Sequence, residues 1–226
     1  MPSCVEWSES YNDAATSSNL RLLGVSYWVR GNDSRMSPST SGGLTRRIAR
    51  AGMIAAVYAA LTLLTLTLLQ GLAWGPVQLR ISEAVCVLAL LTPSAIPGLT
   101  IGCVIANLIG IALTGSGALG LLDVVCGSVA TLLGAMWAWK MRKRPGIALL
   151  GPVIANALIV PAYLPVLLSA YGFYTIPFTE IDLVGSYPLM YLFGVVTVGL
   201  GEALVVYALG VPLLRALRRI GIFAEE

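Results

Sequence analysis

Two charged residues three positions apart, Arg80 and Glu83 in the stretch Gly75-Pro-Val-Gln-Leu-Arg-Ile-Ser-Glu-Ala84, sit in a chain that is 57% hydrophobic and only 11% charged. A charged side chain at bilayer depth costs ~2.5 to 3.5 kcal/mol even on a lenient insertion scale, so charges kept there line a site or a pathway. Outside the N-terminal region and the terminal Glu225 and Glu226, the remaining acids are Glu83, Asp123, Glu180, Asp182 and Glu202. In the orientation derived below, all five fall at an outer mouth or within the membrane, facing Arg80 as the one base. A net-negative cavity of that kind attracts cations and neutral hydrogen-bond donors and repels anions. The amides of Asn107 and Asn156, also in apolar spans, add donors and acceptors to the same set.

This inventory suits recognition and not catalysis. The chain has no histidine and no G-x-x-x-x-G-K-[ST] phosphate loop, so a nucleotide-driven step needs another chain. Cys4, Cys86, Cys103 and Cys126 show no C-x-x-C pairing, and the three in apolar spans read as small buried hydrophobes. No metal site, cofactor or nucleic-acid partner is expected. An intramembrane enzyme would need a nucleophile and base pair that these residues do not supply.

The elements that must position these groups are membrane helices, since the mean hydropathy of the 226 residues is +0.84. Residues 1–45 are polar, without apolar periodicity, and read as a disordered tail. They lack the continuous apolar core of a signal peptide, and Met36 is a plausible alternative start. Residues 46–220 form the membrane domain and 221–226 a short C-terminal tail. Six spans are expected, over 48–72, 81–91, 94–113, 118–139, 147–171 and 189–214. The second is shorter than the ~20 residues needed to cross a bilayer. Thr92-Pro93 separates it from the third, giving a broken hairpin that turns at Pro93 and is tolerated where protein surrounds it.

Ten of the fourteen basic residues lie at three places: Arg46, Arg47 and Arg50; Lys140, Arg142, Lys143 and Arg144; Arg215, Arg218 and Arg219. An even number of spans puts all three on one side, which the positive-inside rule makes cytoplasmic together with both termini. Arg21, Arg30 and Arg35 are in the tail, which leaves Arg80 alone outside. Helix rise places Glu202 roughly 20 Å above Arg215, Asn107 and Asn156 roughly 15 to 18 Å in, and Asp123 near the outer edge. The polar groups thus converge on the middle and outer half.

The loop over 172–183 combines rings and acids, and Phe173, Tyr174, Phe178 and Glu180 are candidate lid residues for a flat, donor-rich ligand. Trp74, Tyr171, Trp137 and Trp139 read instead as interfacial belt residues. Two ladders of small residues, Ala51, Ala55 and Ala59 in the first span and Gly98, Gly102, Ala106 and Gly110 in the third, predict close helix approach. The first ladder could equally dock a partner helix.

Val77-Gln-Leu-Arg-Ile-Ser-Glu-Ala84, Thr92-Pro-Ser-Ala-Ile-Pro-Gly98, Asn107, Asp123 ahead of Gly127-Ser, Asn156-Ala-Leu-Ile and Val198-Gly-Leu-Gly-Glu202 together resemble the QueT-type queuosine-precursor transporter family. The resemblance covers roughly 46 to 220, in order. It implies a six-helix S component, the substrate-binding subunit of an energy-coupling factor transporter in a bacterial plasma membrane. Such a subunit captures a 7-deazaguanine from outside and docks on a membrane coupling protein that carries two ATPase subunits. The Ala51, Ala55 and Ala59 ladder resembles the alanine motif of that docking. The resemblance also implies roles for Arg80, Glu83, Asn107, Asp123, Asn156 and Glu202 as substrate-binding residues. Glu202 or Glu83 would read the guanine-type edge and Asp123 or a loop acid would meet an amine. Arg80 would hold Glu83 or donate to the ring carbonyl. The competing reading is a self-sufficient, proton-coupled transporter of a small cationic or purine-like solute, although no inverted repeat is evident.

Overall fold

The computed structural model describes residues 40–68, 79–169 and 186–221. The chain divides into two compact units, Met1–Arg46 and Arg47–Glu226. Of the first, only the opening turns of α1 are described; the remaining elements belong to the second. Among the described residues the chain is entirely helical. Helix α1 runs Thr40–Leu68, α2 Ile81–Leu90, α3 Ala95–Thr114 and α4 Gly117–Lys140. A turn at Pro145–Ala148 leads into α5, Leu150–Ser169, and α6 is Tyr187–Ile220.

Five of the six are long and apolar enough to cross a membrane, and α2 is not. Their outward faces carry Met53, Val57, Leu64, Ile105, Leu108, Leu133, Leu158, Val196 and Leu200, all exposed, as a lipid-facing surface requires. The inward faces are lined by small residues. A side chain at Gly98 would meet the carbonyl oxygen of Ala51 at 2.8 Å, and one at Gly102 that of Ala55 at 2.7 Å. The two ladders seen in the sequence therefore close on each other, α3 against α1. Ala55 is buried in that contact, and Ala59 one turn on is buried as well. The small residues of α1 that face outward are the next ones along, Gly52, Ala56 and Ala60. Similar approaches set α4 on α5, where Gly134 lies under Pro152, and α6 on α5, where Gly194 lies under Pro161.

Helix α2 is wound in 3₁₀ geometry, which rises about 2.0 Å per residue, so its ten residues cover roughly 20 Å of a ~30 Å hydrocarbon core. Eight of the ten are buried, against α6, α4 and α3. It stops where proline removes a donor: Leu91 and Thr92 still donate to the Leu88 carbonyl, Pro93 cannot, and α3 restarts at Ala95. The Thr92 hydroxyl accepts from the Ser94 amide at 3.2 Å, which steadies the break. The chain thus changes from α2 to α3 across a half-buried Pro93. Two further irregularities are wide π turns, Asp123–Gly127 in α4 and Val205–Gly210 in α6. Turns of that type concentrate at functional sites.

The interlocked ladders generate a stability test. Gly102→Leu drives a side chain into the Ala55 backbone, an overpacking of the kind that costs ~1 to 3 kcal/mol or more, and lowers the thermal unfolding midpoint in detergent. Gly52→Leu, at a position with nothing within 4 Å, leaves the midpoint unchanged or raised.

Candidate functional site

Helix α2 begins at Arg80 and carries Glu83 one turn in, so enclosing this helix draws both charges between the long helices. Arg80 meets Asp123 there. One guanidinium nitrogen donates to both carboxylate oxygens, at 3.2 and 3.1 Å, forming an ion pair that is largely buried. Asp123 opens the π turn of α4, and its carboxylate also accepts from the Tyr163 hydroxyl of α5. The Asn107 amide of α3 donates to the Asp123 carbonyl at 2.9 Å and reaches the Cys103 sulfur at 3.5 Å. Gly127 closes the π turn, and a side chain there would press on Asn107 Nδ2 at 3.2 Å and Asp123 Oδ1 at 3.3 Å. Three helices thus bond Asp123 of α4: α2 and α5 at its carboxylate, α3 at its backbone carbonyl.

A second group sits deeper along α2. Glu83 accepts from the Tyr58 hydroxyl of α1 on one oxygen and from the Cys86 thiol, at 3.0 Å, on the other. Glu202 of α6 accepts from Asn156 of α5 at 3.0 Å and stands against Glu83. Glu83 is 1% exposed and Glu202 5%. Between the groups, the Thr62 hydroxyl donates to the Tyr58 carbonyl and accepts from the Ser82 hydroxyl, tying the α1 side of the site to α2.

All six residues singled out from the sequence are therefore brought to the interior, in two triplets: Arg80, Asp123 and Asn107, and Glu83, Glu202 and Asn156. Arg80 bonds Asp123 and not Glu83, so the expectation that it holds Glu83 in place gives way to this pair. The geometric reason is that Arg80 precedes the first turn of α2 while Glu83 points inward past it. Tyr58, Tyr163, Cys86 and Thr62 were missed, because a tyrosine or thiol in an apolar span reads as core. Phe173, Tyr174, Phe178 and Glu180 lie outside the described residues, as do Trp74 and Tyr171. Trp137 and Trp139 flank the Lys140 end of α4, where the Trp137 indole donates to the Ile147 carbonyl at 3.1 Å. The Arg142 guanidinium lies 3.9 Å over the Trp139 ring.

The outer group borders a cleft lined by Thr62, Thr65, Asn107, Gly110 and Gly120 as well as Arg80 and Asp123, with room for about one water molecule. Among the described residues no three Cys, Asp or Glu side chains are placed to hold a metal ion.

A family model described as "QueT transporter" matches residues 48–219, which takes in every helix and both groups. The chain belongs to the QueT transporter family. It is a multi-pass membrane protein whose role is transport rather than catalysis. No curated protein and no solved structure matches it.

The ion pair generates a second test. Removing one partner leaves the other charge buried, at a cost of ~3 to 5 kcal/mol. Arg80→Gln or Asp123→Asn each lowers the unfolding free energy of this QueT protein in detergent by an amount of that order. The double variant loses less than the two single losses added together.

Proposed function

We propose that this chain is the substrate-binding subunit of an energy-coupling factor transporter and captures a 7-deazaguanine queuosine precursor from the outer side of a bacterial plasma membrane. The observation that carries this reading is the convergence of Arg80, Asn107, Asp123, Asn156, Glu83 and Glu202 on the buried space beside α2, within a family of transporters. A guanine-type edge presents adjacent N–H donors, which a carboxylate accepts in pairs, and a ring carbonyl, which an arginine or amide serves. The three basic clusters orient the bundle with its Arg80 end outward.

The cleft beside Arg80 and Asp123 is too small for a bicyclic base. Entry therefore requires these side chains to give up bonds to each other and make them to the ligand. The Arg80–Asp123 pair is suited to that exchange, since both partners satisfy each other before binding and neither is left bare. No energy source lies within the chain in this reading: a coupling protein in the membrane and two ATPase subunits supply it. The face of α1 available to such a partner is Gly52, Ala56 and Ala60, because Ala55 is covered by α3 and Ala59 is buried.

Uptake of a radiolabelled 7-deazaguanine by cells expressing the chain with a coupling module tests this. Transport requires the ATPase subunits, continues when the proton gradient is collapsed, and falls at least about tenfold in Asp123→Asn, where one charged partner is lost. Uptake that needs no ATPase and stops with the gradient assigns the chain instead to proton-coupled transport.

A further inference from the structure

Away from the two buried groups, the bundle gathers positive charge at its other end. Asp123 lies seventeen residues before Lys140 on α4, and Glu202 thirteen before Arg215 on α6, so both basic stretches stand roughly 20 to 25 Å along the helices from these interior acids. Lys140, Arg142, Lys143 and Arg144 at the end of α4 are all exposed, as are Arg215, Arg218 and Arg219 at the end of α6. The two stretches are joined. The Tyr207 hydroxyl of α6 donates at 2.8 Å to the carbonyl of Gly146, two residues past Arg144, and Met141, Ala148, Leu149 and Leu214 share one apolar cluster. None of the seven basic side chains is paired with an acid among the described residues, where the acids Glu83, Asp123 and Glu202 are all buried. Glu225 and Glu226, which follow in the sequence, offset at most two of the seven charges.

Unbalanced basic charge attracts an anion, and the surroundings decide which kind. Helix α6 is 34 residues long, about 51 Å, against ~30 Å of hydrocarbon and ~40 to 45 Å with the headgroups, so it reaches beyond the apolar layer. Its last ten residues, Val211–Ile220, are two-faced: Leu213, Leu217 and Ile220 fall on one side and Arg215, Arg218 and Arg219 on the other. Ile220 is 68% exposed, so protein does not cover the whole of the apolar side. A basic, two-faced helix end of this kind suits a lipid interface, with its apolar side toward acyl chains and its charges at the phosphates. At the end of α4, the Arg142 guanidinium lies over the Trp139 ring and donates to the Trp139 carbonyl at 3.1 Å. That holds it in place with further N–H groups to offer an oxyanion. Beside it Met136, Trp137 and Ile147 are exposed and apolar. Basic charge next to an apolar wall fits a phosphate that carries acyl chains, whereas a free phosphate or an acidic protein surface leaves the wall unused. We infer that the Lys140 end of α4 and the Arg215 end of α6 form a docking surface for the headgroups of anionic phospholipids, which holds this end of the bundle in the leaflet it faces. In the orientation proposed above that leaflet is the cytoplasmic one, whose surface is negative.

Native mass spectrometry of the full-length chain, released from micelles that hold equal amounts of phosphatidylglycerol and phosphatidylcholine with the same acyl chains, tests it. The wild type retains phosphatidylglycerol over phosphatidylcholine by at least about tenfold, and the ratio falls as ammonium acetate is raised. The triple variants Arg215→Gln, Arg218→Gln, Arg219→Gln and Arg142→Gln, Lys143→Gln, Arg144→Gln each cut the ratio about threefold or more, and combining them brings it within about twofold of unity. All six positions are exposed, so the combined variant keeps the wild-type unfolding midpoint in phosphatidylcholine, which shows that it is folded; should it not fold, the two triple variants decide. Equal retention of the two lipids by the wild type overturns the surface, as does a wild-type preference that survives in the variants. Inorganic phosphate at the concentration of the lipid leaves the ratio unchanged; if it displaces the lipid, the charges form a small-anion site and lipid docking falls. Lipid docking also falls if neither lipid is preferred and the combined variant no longer copurifies with a coupling module, since the charges then serve an acidic protein surface.

Discussion

Helix α2 covers about two thirds of the hydrocarbon thickness, so its backbone ends and its charged residues cannot meet lipid without severe cost. The long helices α1, α3, α4 and α6 resolve this by packing around it. Val87 of α2 lies under Gly210 of α6, eight of its ten residues are buried, and the chain turns at Pro93 directly into α3. Once α2 is enclosed, Arg80 at its start and Glu83 in its first turn are also enclosed, and each must find partners on the walls. The polar interior is thus a consequence of one short helix. Asp123 of α4 and Tyr58 of α1 supply those partners, while side chains of α3 and α5 hold Asp123 and Glu202 in turn.

The walls are locally irregular where they answer α2. A π turn in α4 begins at Asp123 and another in α6 follows closely on Glu202, so both wall acids stand at places where the regular ladder of hydrogen bonds is widened. Gly127 and Gly210 remove the side chains that would block the approach. The glycine ladder of α3 brings α1 close enough for Tyr58 to reach Glu83. Packing and recognition are therefore not separate layers of the molecule, since the same close approaches that hold the helices together set the distances among the polar groups.

Much of this was legible in the residues. Length and hydropathy gave six helices with a short second one, and Pro93 marked the break, because a missing donor and a shortage of apolar residues are local facts. The six polar residues stood out because charge and amide groups in an apolar span are costly wherever they point. What could not be read was pairing. Arg80 and Glu83 are neighbours in sequence, yet Arg80 reaches Asp123, forty-three positions away, since α4 and not α2 lies opposite its side chain. The alanine ladder of α1 was recognisable as a close-packing face, but which surface it met depended on the crossing with α3. Tyr58 and Tyr163 carry no sequence signal that separates a hydrogen-bonded tyrosine from a core ring.

Together, these features place a charge-balanced arginine and aspartate beside a buried pair of glutamates, inside a membrane bundle of the QueT transporter family. The central claim is that this interior takes up a 7-deazaguanine. Native mass spectrometry of the full-length chain, purified from cells and released from its detergent micelle, addresses it most directly. The account predicts a bound species with the mass of a 7-deazaguanine base, lost in an Arg80→Gln variant. A bound flavin, thiamine or biotin, with no 7-deazaguanine retained or exchanged in, would contradict it.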